Sequence, residues 1–548
     1  MQNNATYLLS SFEENSDEFF QGYCFDKEDF IFGQSGADEY LKATGKDISF
    51  GEDGCYVLAK KVGENFVIGS DSAGYKKILY FHDKKLGVWV VSNSIVLMIE
   101  HLTKHSIQIT PNLESLLMLS IEISATQQPM TFDTIVKEIS ILPINTVLTI
   151  GKNNLNIEKV QDKEVDIINY NEIILNFANM WASRFSTLMS CGNVLIQQAL
   201  TGGLDSRAVF SLSHLAYENI DSSNNSDYRL SSYLTNGSDI DIKIADKISS
   251  YYGYELNRKG NSVYKVKYLS DEDNYLTWKN TCLGLYQPIY FPESEIDYKK
   301  VKIGGGGGEN YRPFYTKRPN TNNYSDFVKL LCSKLNKKNL QLGFAINLYE
   351  TLLRIQDLDQ CGKEIDPLIL HYRHFRNRFH TGLSPQYRVS FNPLSSKYLA
   401  NIAKKDNYKK IQNLQVLYDL INLTDNLLSL PYDDPKKAPV KENFDQLIKV
   451  NSNISIKKGS IFVGQSVEKD IKSKSSKSVV FKYLKEDFDR ACNTKLVKEL
   501  WNEDFINKAS RVLDKAIVNG KFASAKEGIP ISTIIATGLF RKNTVISN

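Results

Sequence analysis

Paired cysteines are absent from this chain. Seven cysteines stand far apart, at 24, 55, 191, 282, 332, 361 and 492, and none forms a C-x-x-C. That spacing excludes a zinc ribbon and gives no disulfide framework. An odd, scattered set fits a reducing compartment, so the expected location is the cytoplasm. No apolar run reaches the roughly 18 residues of a membrane span. The opening Met1-Gln2-Asn3-Asn4 is polar and does not read as a signal peptide. The net charge is only +4 and no long basic stripe occurs, which argues against a nucleic-acid partner. The phosphate-loop pattern G-x-x-x-x-G-K-S/T is missing, and there is no internal repeat.

What is present is ordinary for a globular protein: 42% hydrophobic and 24% charged residues. A length of 548 residues accommodates about two to four domains.

The most informative segment is Leu200-Thr201-Gly202-Gly203-Leu204-Asp205-Ser206. It follows an apolar run, Val194 to Ala199, that reads as a buried strand, and leads into Ala208 to Leu212, the start of a helix. A strand, a glycine turn and a helix N-terminus converge backbone N–H groups and a favourable dipole on one point, which suits an anion. The glycines permit close backbone approach. Thr201 and Ser206 add hydroxyls, and Asp205 is an oxygen ligand suited to Mg²⁺. The alternative is a turn without a ligand.

Residues 1–155 read mainly as antiparallel hairpins, with runs at 55–59, 65–69, 78–81 and 87–91. The segment from Asn112 to Ile123 reads as helical. Residues 156–190 form a linker ending in a helix. From Val194 strand, loop and helix alternate, which predicts a parallel sheet over 191–440. Tyr233-Leu234-Thr235 is the expected second strand, and Asp241 to Tyr252 the helix after it. Residues 441–548 are an expected helical extension, with a Ser/Lys-rich stretch at 451–478 that reads as a solvated loop or, alternatively, a binding patch.

Several segments together resemble the asparagine synthetase family, which includes β-lactam synthetases. The Thr201–Ser206 loop resembles that family's S-G-G-x-D-S pyrophosphate loop, with Thr in place of the first Ser. Gly54-Cys55-Tyr56-Val57 through Gly69-Ser70-Asp71 to Tyr80-Phe81 is similar to its N-terminal G-x-F-a and R-D-x-x-G-x-x-P-L-Y-Y stretches. Ser92-Asn93-Ser94-Ile95 and Ile139-Ser140-Ile141-Leu142-Pro143 fall at its next turn and at its domain end. The resemblance spans roughly residues 45–440. It implies an α/β and α+β chain: an N-terminal glutaminase-like, Ntn-type αββα domain, then an adenine-nucleotide α-hydrolase (PP-loop) synthetase domain. It also implies ATP and Mg²⁺, adenylation of a carboxylate with loss of pyrophosphate, and amide formation with an amine or ammonia. The implied partners are a small-molecule or peptide carboxylate and an amine donor, and a homodimer is one assembly it allows.

The chain departs from that family in several places. The glutaminase nucleophile is a Cys at position 2, whose own α-amine is the base; here Gln2 stands there. Ser70 replaces the family's Arg, and the glutamine-holding Asn-Gly-Glu is missing. The expectation is an inert domain, the alternative an internal nucleophile such as Cys24. The family's G-E-G-S-D-E corresponds to Gly304-Gly305-Gly306-Gly307-Gly308-Glu309. Gly306, Gly307 and Gly308 are expected beside the phosphates and Glu309 beside the metal; a flexible glycine linker is the alternative. Gln386 replaces a family Glu at the amine site. Lys436 or Lys437 stands where the family has the Lys that stabilises adenylate and pyrophosphate charge, unless both are surface residues. His371, His374 and His380, with Arg373, Arg376 and Arg378, either face a phosphate or acidic substrate or lie on a solvated helix face.

The leading expectation is an ATP-dependent, AMP-forming carbon–nitrogen ligase of specialised-metabolite or surface-polysaccharide synthesis. Asparagine synthesis from aspartate and ammonia is one alternative, and a non-catalytic nucleotide-binding scaffold is another.

Overall fold

A computed structural model of the chain describes residues 5–160, 169–220, 227–232, 239–257, 267–312, 314, 324–335, 338–359, 367–400, 402, 408–449, 454–464 and 477–540. Among them, three sheets position everything else.

The first strands and helices are β1 (Leu8–Ser10), β2 (Glu18–Asp26), β3 (Asp29–Phe32), α1 (Gly33–Thr44), β4 (Asp53–Val62) and β5 (Asn65–Ser70). β6 (Leu79–Asp83), β7 (Val88–Ser92), α2 (Ile95–Lys104), α3 (Leu113–Leu119), β8 (Ser140–Ile141), β9 (Thr146–Ile150) and β10 (Leu155–Lys159) follow. The expected hairpins are present: β4 pairs antiparallel with β5, and β6 with β7. Strand alternation explains how they stack. Val57 and Ala59 of β4 meet Ile68, Val91 and Leu148 in a core between two sheets. Tyr56 and Leu58, on the other face of β4, pack with Ala37 and Tyr40 of α1. On β7, Val91 points into the inter-sheet core, whereas Val90 joins the cluster that holds Ile95 and Val96 of α2. The two sheets thus share one core, with α1 on the other face of the larger sheet. The larger sheet runs past the expected end at 155, because β10 closes its edge against β9.

α4 (Tyr170–Met189) carries the chain onward, started by a capping box between Asn169 and Glu172. The third sheet is parallel throughout, as the alternation predicts. Its order is β12 (Asp227–Ser231), β11 (Leu195–Ala199), β13 (Lys300–Ile303), β14 (Ser390–Phe391). The second strand thus sits earlier than expected, and Tyr233, Leu234 and Thr235 lie outside the described residues. α5 (Leu204–Glu218) lies between β11 and β12 in the chain, and α6 (Ile240–Tyr251) and α7 (Asp271–Cys282) between β12 and β13.

The C-terminal extension packs back onto the earlier parts. β15 (Ile461–Phe462) adds to the edge of β3 in parallel, so this part of the Ser/Lys-rich stretch is ordered sheet; Lys472 to Ser476 lie outside the described residues. Ser532, in the helix Gly528–Thr537, donates to the Gln287 carbonyl at 2.7 Å. Among the described residues no helix is long and apolar enough to cross a membrane.

Candidate active site

β11 and β13 are adjacent parallel strands, so the loops that follow them emerge side by side at the carboxyl end of the sheet. This is where open parallel sheets bind ligands. The β11 loop is residues 200–203 and the β13 loop is the glycine run 304–308.

Leu200 and Leu204 are buried and fix the β11 loop into the core. Leu200 N–H also donates to Ser231 O at 2.9 Å. Between these anchors the polar groups cross-brace. Thr201 N–H donates to Ser206 Oγ at 3.0 Å, the two hydroxyls lie 2.9 Å apart, and Gly203 N–H reaches Thr201 Oγ1 at 3.3 Å. Gly202 N–H donates to the Asp241 carboxylate of α6 at 3.0 Å. α5 then begins after Gly203, its N-cap, with Asp205 in its first turn.

The glycine run packs against this turn and does not behave as a free linker. A Cβ at Gly305 would lie 2.8 Å from Ser206 N, and one at Gly308 would overlap Asp205 Oδ1. Gly306 instead abuts Thr381 and Asn392, and Gly307, at φ +95°, abuts Ser395. Of the three glycines expected beside the phosphates, Gly308 abuts α5, Gly307 abuts the segment after β14, and Gly306 lies between Thr381 and Asn392. Gly305, the fourth, was not anticipated.

Asp205 and Glu309 meet at one guanidinium. Arg312 Nη2 donates to Asp205 Oδ2 at 2.8 Å and to Glu309 Oε1 at 3.0 Å. Asp205 Oδ1 is buried and has no hydrogen-bond partner. Burial pushes the Asp205 carboxyl well above the usual carboxylate range; Arg312 opposes this and Glu309 reinforces it.

The expected lysines separate cleanly. Both sit in the short turn Pro435–Lys437. Lys437 Nζ pairs with Asp433 at 2.5 Å and lies 4.0 Å from where a Gly203 Cβ would be. Lys436 is exposed, and its backbone N–H donates to Asp434 at 3.0 Å. Asp433 closes over the loop, its N–H donating to Gly202 O at 3.3 Å.

Arg207 holds this lysine turn in place. Fully buried on α5, it donates to the carbonyls of Leu427, Leu430 and Pro431 at 3.2, 2.9 and 2.5 Å. Its guanidinium lies 3.8 Å from the Tyr432 ring centroid, a cation–π contact. One residue beyond the loop motif thereby ties the loop to a segment more than two hundred residues away. Sequence reading missed Arg207, Arg312, Asp241 and Asp433. The signal for Arg207 was its place in the motif-bearing helix; the others carry no local signature.

Gln386, the His/Arg segment and Cys24 lie apart from the Asp205–Lys437 cluster. Gln386 is buried, with its amide donating to Gly382 O at 3.0 Å, and among the described residues no hydrogen bond links it to the loop. It sits at the seam with the N-terminal sandwich because its short helix, Leu383–Tyr387, packs there. The His/Arg segment is a π-helical stretch, Tyr372–Thr381, that is mostly buried and meets the glycine run through Thr381 rather than through its histidines or arginines. Arg378 donates to Gly74 O and Leu142 O at 2.9 and 2.7 Å, and Arg376 to Gln127 and Gln128. His371 meets Met130 O at 2.8 Å and His374 meets Asp359 at 3.2 Å. Arg376, Arg378 and His371 thus engage side-chain amides and backbone carbonyls of the N-terminal part, whereas His374 pairs with Asp359. Cys24 is fully buried, and desolvation together with Glu52 and Asp26 pushes its thiol far above its ordinary value. Such a thiol is not a nucleophile near neutral pH.

No family model matches the chain, and no curated protein matches it either.

Proposed function

We propose that the chain is an ATP-dependent, AMP-forming amide ligase. The observation that carries this reading is the convergence of Asp205, Glu309, Arg312 and Lys437 on the glycine turn at the carboxyl end of the parallel sheet. In this reading a substrate carboxylate oxygen attacks the α-phosphorus of ATP. The bond from that phosphorus to the β-phosphate oxygen breaks and pyrophosphate leaves. An amine then displaces AMP from the acyl carbon and loses its proton, leaving an amide.

The roles of the chain's own residues follow from position. The α5 N-terminus and the Thr201 and Ser206 hydroxyls present donors to phosphate oxygens. Lys437 places a cation beside Gly203, where negative charge builds as pyrophosphate departs. Arg207 is a positioning residue, acting through the Leu427–Pro431 carbonyls.

Magnesium fits this donor set. Asp205 offers a buried oxygen with no partner, and Glu309 shares the same guanidinium. Mg²⁺ is commonly held by one or two carboxylates, with phosphate oxygens and water supplying the rest. When bound it would neutralise phosphate charge. The buried Cys24 thiol supports ammonia or a substrate amine, rather than glutamine, as the nitrogen source.

The test is release of pyrophosphate and AMP from Mg²⁺-ATP, with candidate acids added singly and ammonia or glutamine supplied. Acid-dependent release followed by amide formation from ammonia alone supports the reading. Normal ATP binding with no release for any acid and amine pair overturns it.

A further inference from the structure

Arg312 occupies the place between Asp205 and Glu309 that a divalent cation would take. A single nitrogen, Nη2, donates to both carboxylates, at 2.8 and 3.0 Å. One positive charge thus separates two negative ones that would otherwise repel. The three side chains are not sealed in: Arg312 is 24% exposed and the two acids 22% each. The pairing is also incomplete, since the guanidinium leaves Asp205 Oδ1 without a partner. An arginine in a fully committed fork would engage both oxygens of one carboxylate. Here one nitrogen is shared, a geometry that gives up less on release.

Arg312 follows the short turn Gly308–Tyr311 in an extended conformation, at φ −154° and ψ 155°. The opposite charge is mirrored nearby. The Asp241 carboxylate takes the Gly202 N–H, a donor the loop would otherwise present to an anion. Each half of the site is therefore held by a side chain of the sign its ligand carries.

We propose that Arg312 is a latch that excludes divalent cations from the Asp205–Glu309 pair until a polyphosphate is present. A polyphosphate gives the guanidinium a new partner, and the carboxylates are then released to the cation. Metal and nucleotide binding are thereby linked, each favouring the other by the same factor. The inference rests on the ligase reading for the identity of the polyphosphate, but the latch itself does not require turnover.

The experiment titrates Mn²⁺ into the nucleotide-free protein and reads free Mn²⁺ by electron paramagnetic resonance. The wild type is expected to bind weakly. Arg312→Met is expected to bind about tenfold or more tightly, since the competing cation is gone. Arg312→Lys keeps a positive charge and should stay within about threefold of wild type. Adding Asp205→Asn to Arg312→Met should abolish the gain. Equal affinity in Arg312→Met and wild type overturns the latch, as does a gain that survives Asp205→Asn. Thermal melts confirm folding, and Arg312→Gln substitutes if the Met variant fails to fold. Failure of the ligase reading would appear separately, as absent pyrophosphate release by the wild type with the Mn²⁺ gain intact.

Discussion

The guanidinium of Arg184 lies 2.6 Å from Asp53 Oδ2, and both side chains are buried. Arg184 belongs to α4 and Asp53 to β4, so the pair joins the helix that leaves the N-terminal sandwich to the sandwich itself. Ser72 Oγ, Lys397 N–H and Ser396 Oγ complete the carboxylate's partners. The Ser396 and Lys397 donors come from the segment beside the glycine run. Arg184→Met would strand this carboxylate, and the expected loss is about 3–5 kcal/mol of stability. Urea denaturation measures it.

The same carboxylate gives a pH prediction. Burial raises the Asp53 pKa, but Arg184 and the hydroxyl and amide donors outweigh it, and the net shift is downward. A lowered folded pKa means the contribution is complete above the unfolded value and fades as pH falls toward the folded one. Wild type should be clearly more stable than Asp53→Asn at pH 7. The gap should begin to narrow below about pH 4, where the unfolded carboxyl takes up its proton, and shrink further as pH falls toward the lowered folded pKa. Denaturation midpoints at pH 7 and pH 3 decide it; a gap unchanged at pH 3 would contradict the assignment.

Lys436 and Lys437 were indistinguishable in the sequence and are distinguishable by neighbours. Lys437 pairs with Asp433 beside Gly203, whereas Lys436 is exposed. Lys437→Met should lower pyrophosphate release by about a hundredfold, the size of one lost charge-stabilising group. Lys436→Met should leave it within about twofold. Comparable losses in both variants would remove Lys437 from its assigned role.

These outcomes follow from what a local pattern can and cannot encode. The strand, glycine turn and helix at 195–218 were legible because each element declares itself within a few residues. The hairpins β4–β5 and β6–β7 were legible through alternation. The function of the His/Arg segment was not. Its charges look like a ligand site in sequence, yet Arg376 and Arg378 satisfy amides and carbonyls of residues 74, 127, 128 and 142, which only tertiary packing supplies. Arg312 was missed for the same reason. Its partners lie three and more than a hundred residues away, and nothing in Arg312-x-Phe314 marks them. β15 was hidden because two residues on a sheet edge have no periodicity to read.

Asp205 should show stability and activity moving apart. Its carboxyl is pushed above the ordinary range mainly by burial, so the folded protein holds the ionised form at a cost. The sign is opposite to that of Asp53: with the folded pKa raised, stability falls as pH climbs from the unfolded value through the folded one. Oδ1 adds to the cost, being buried without a partner. Asp205→Asn removes the charge while nearly keeping the shape, and Glu309 still pairs with Arg312. The variant should melt at or above the wild-type temperature at pH 8, while acid-dependent pyrophosphate release falls by about a hundredfold or more. Differential scanning calorimetry and a coupled pyrophosphate assay on the same preparation give both readings. A less stable variant that keeps its activity would show that Asp205 serves the helix rather than the phosphate.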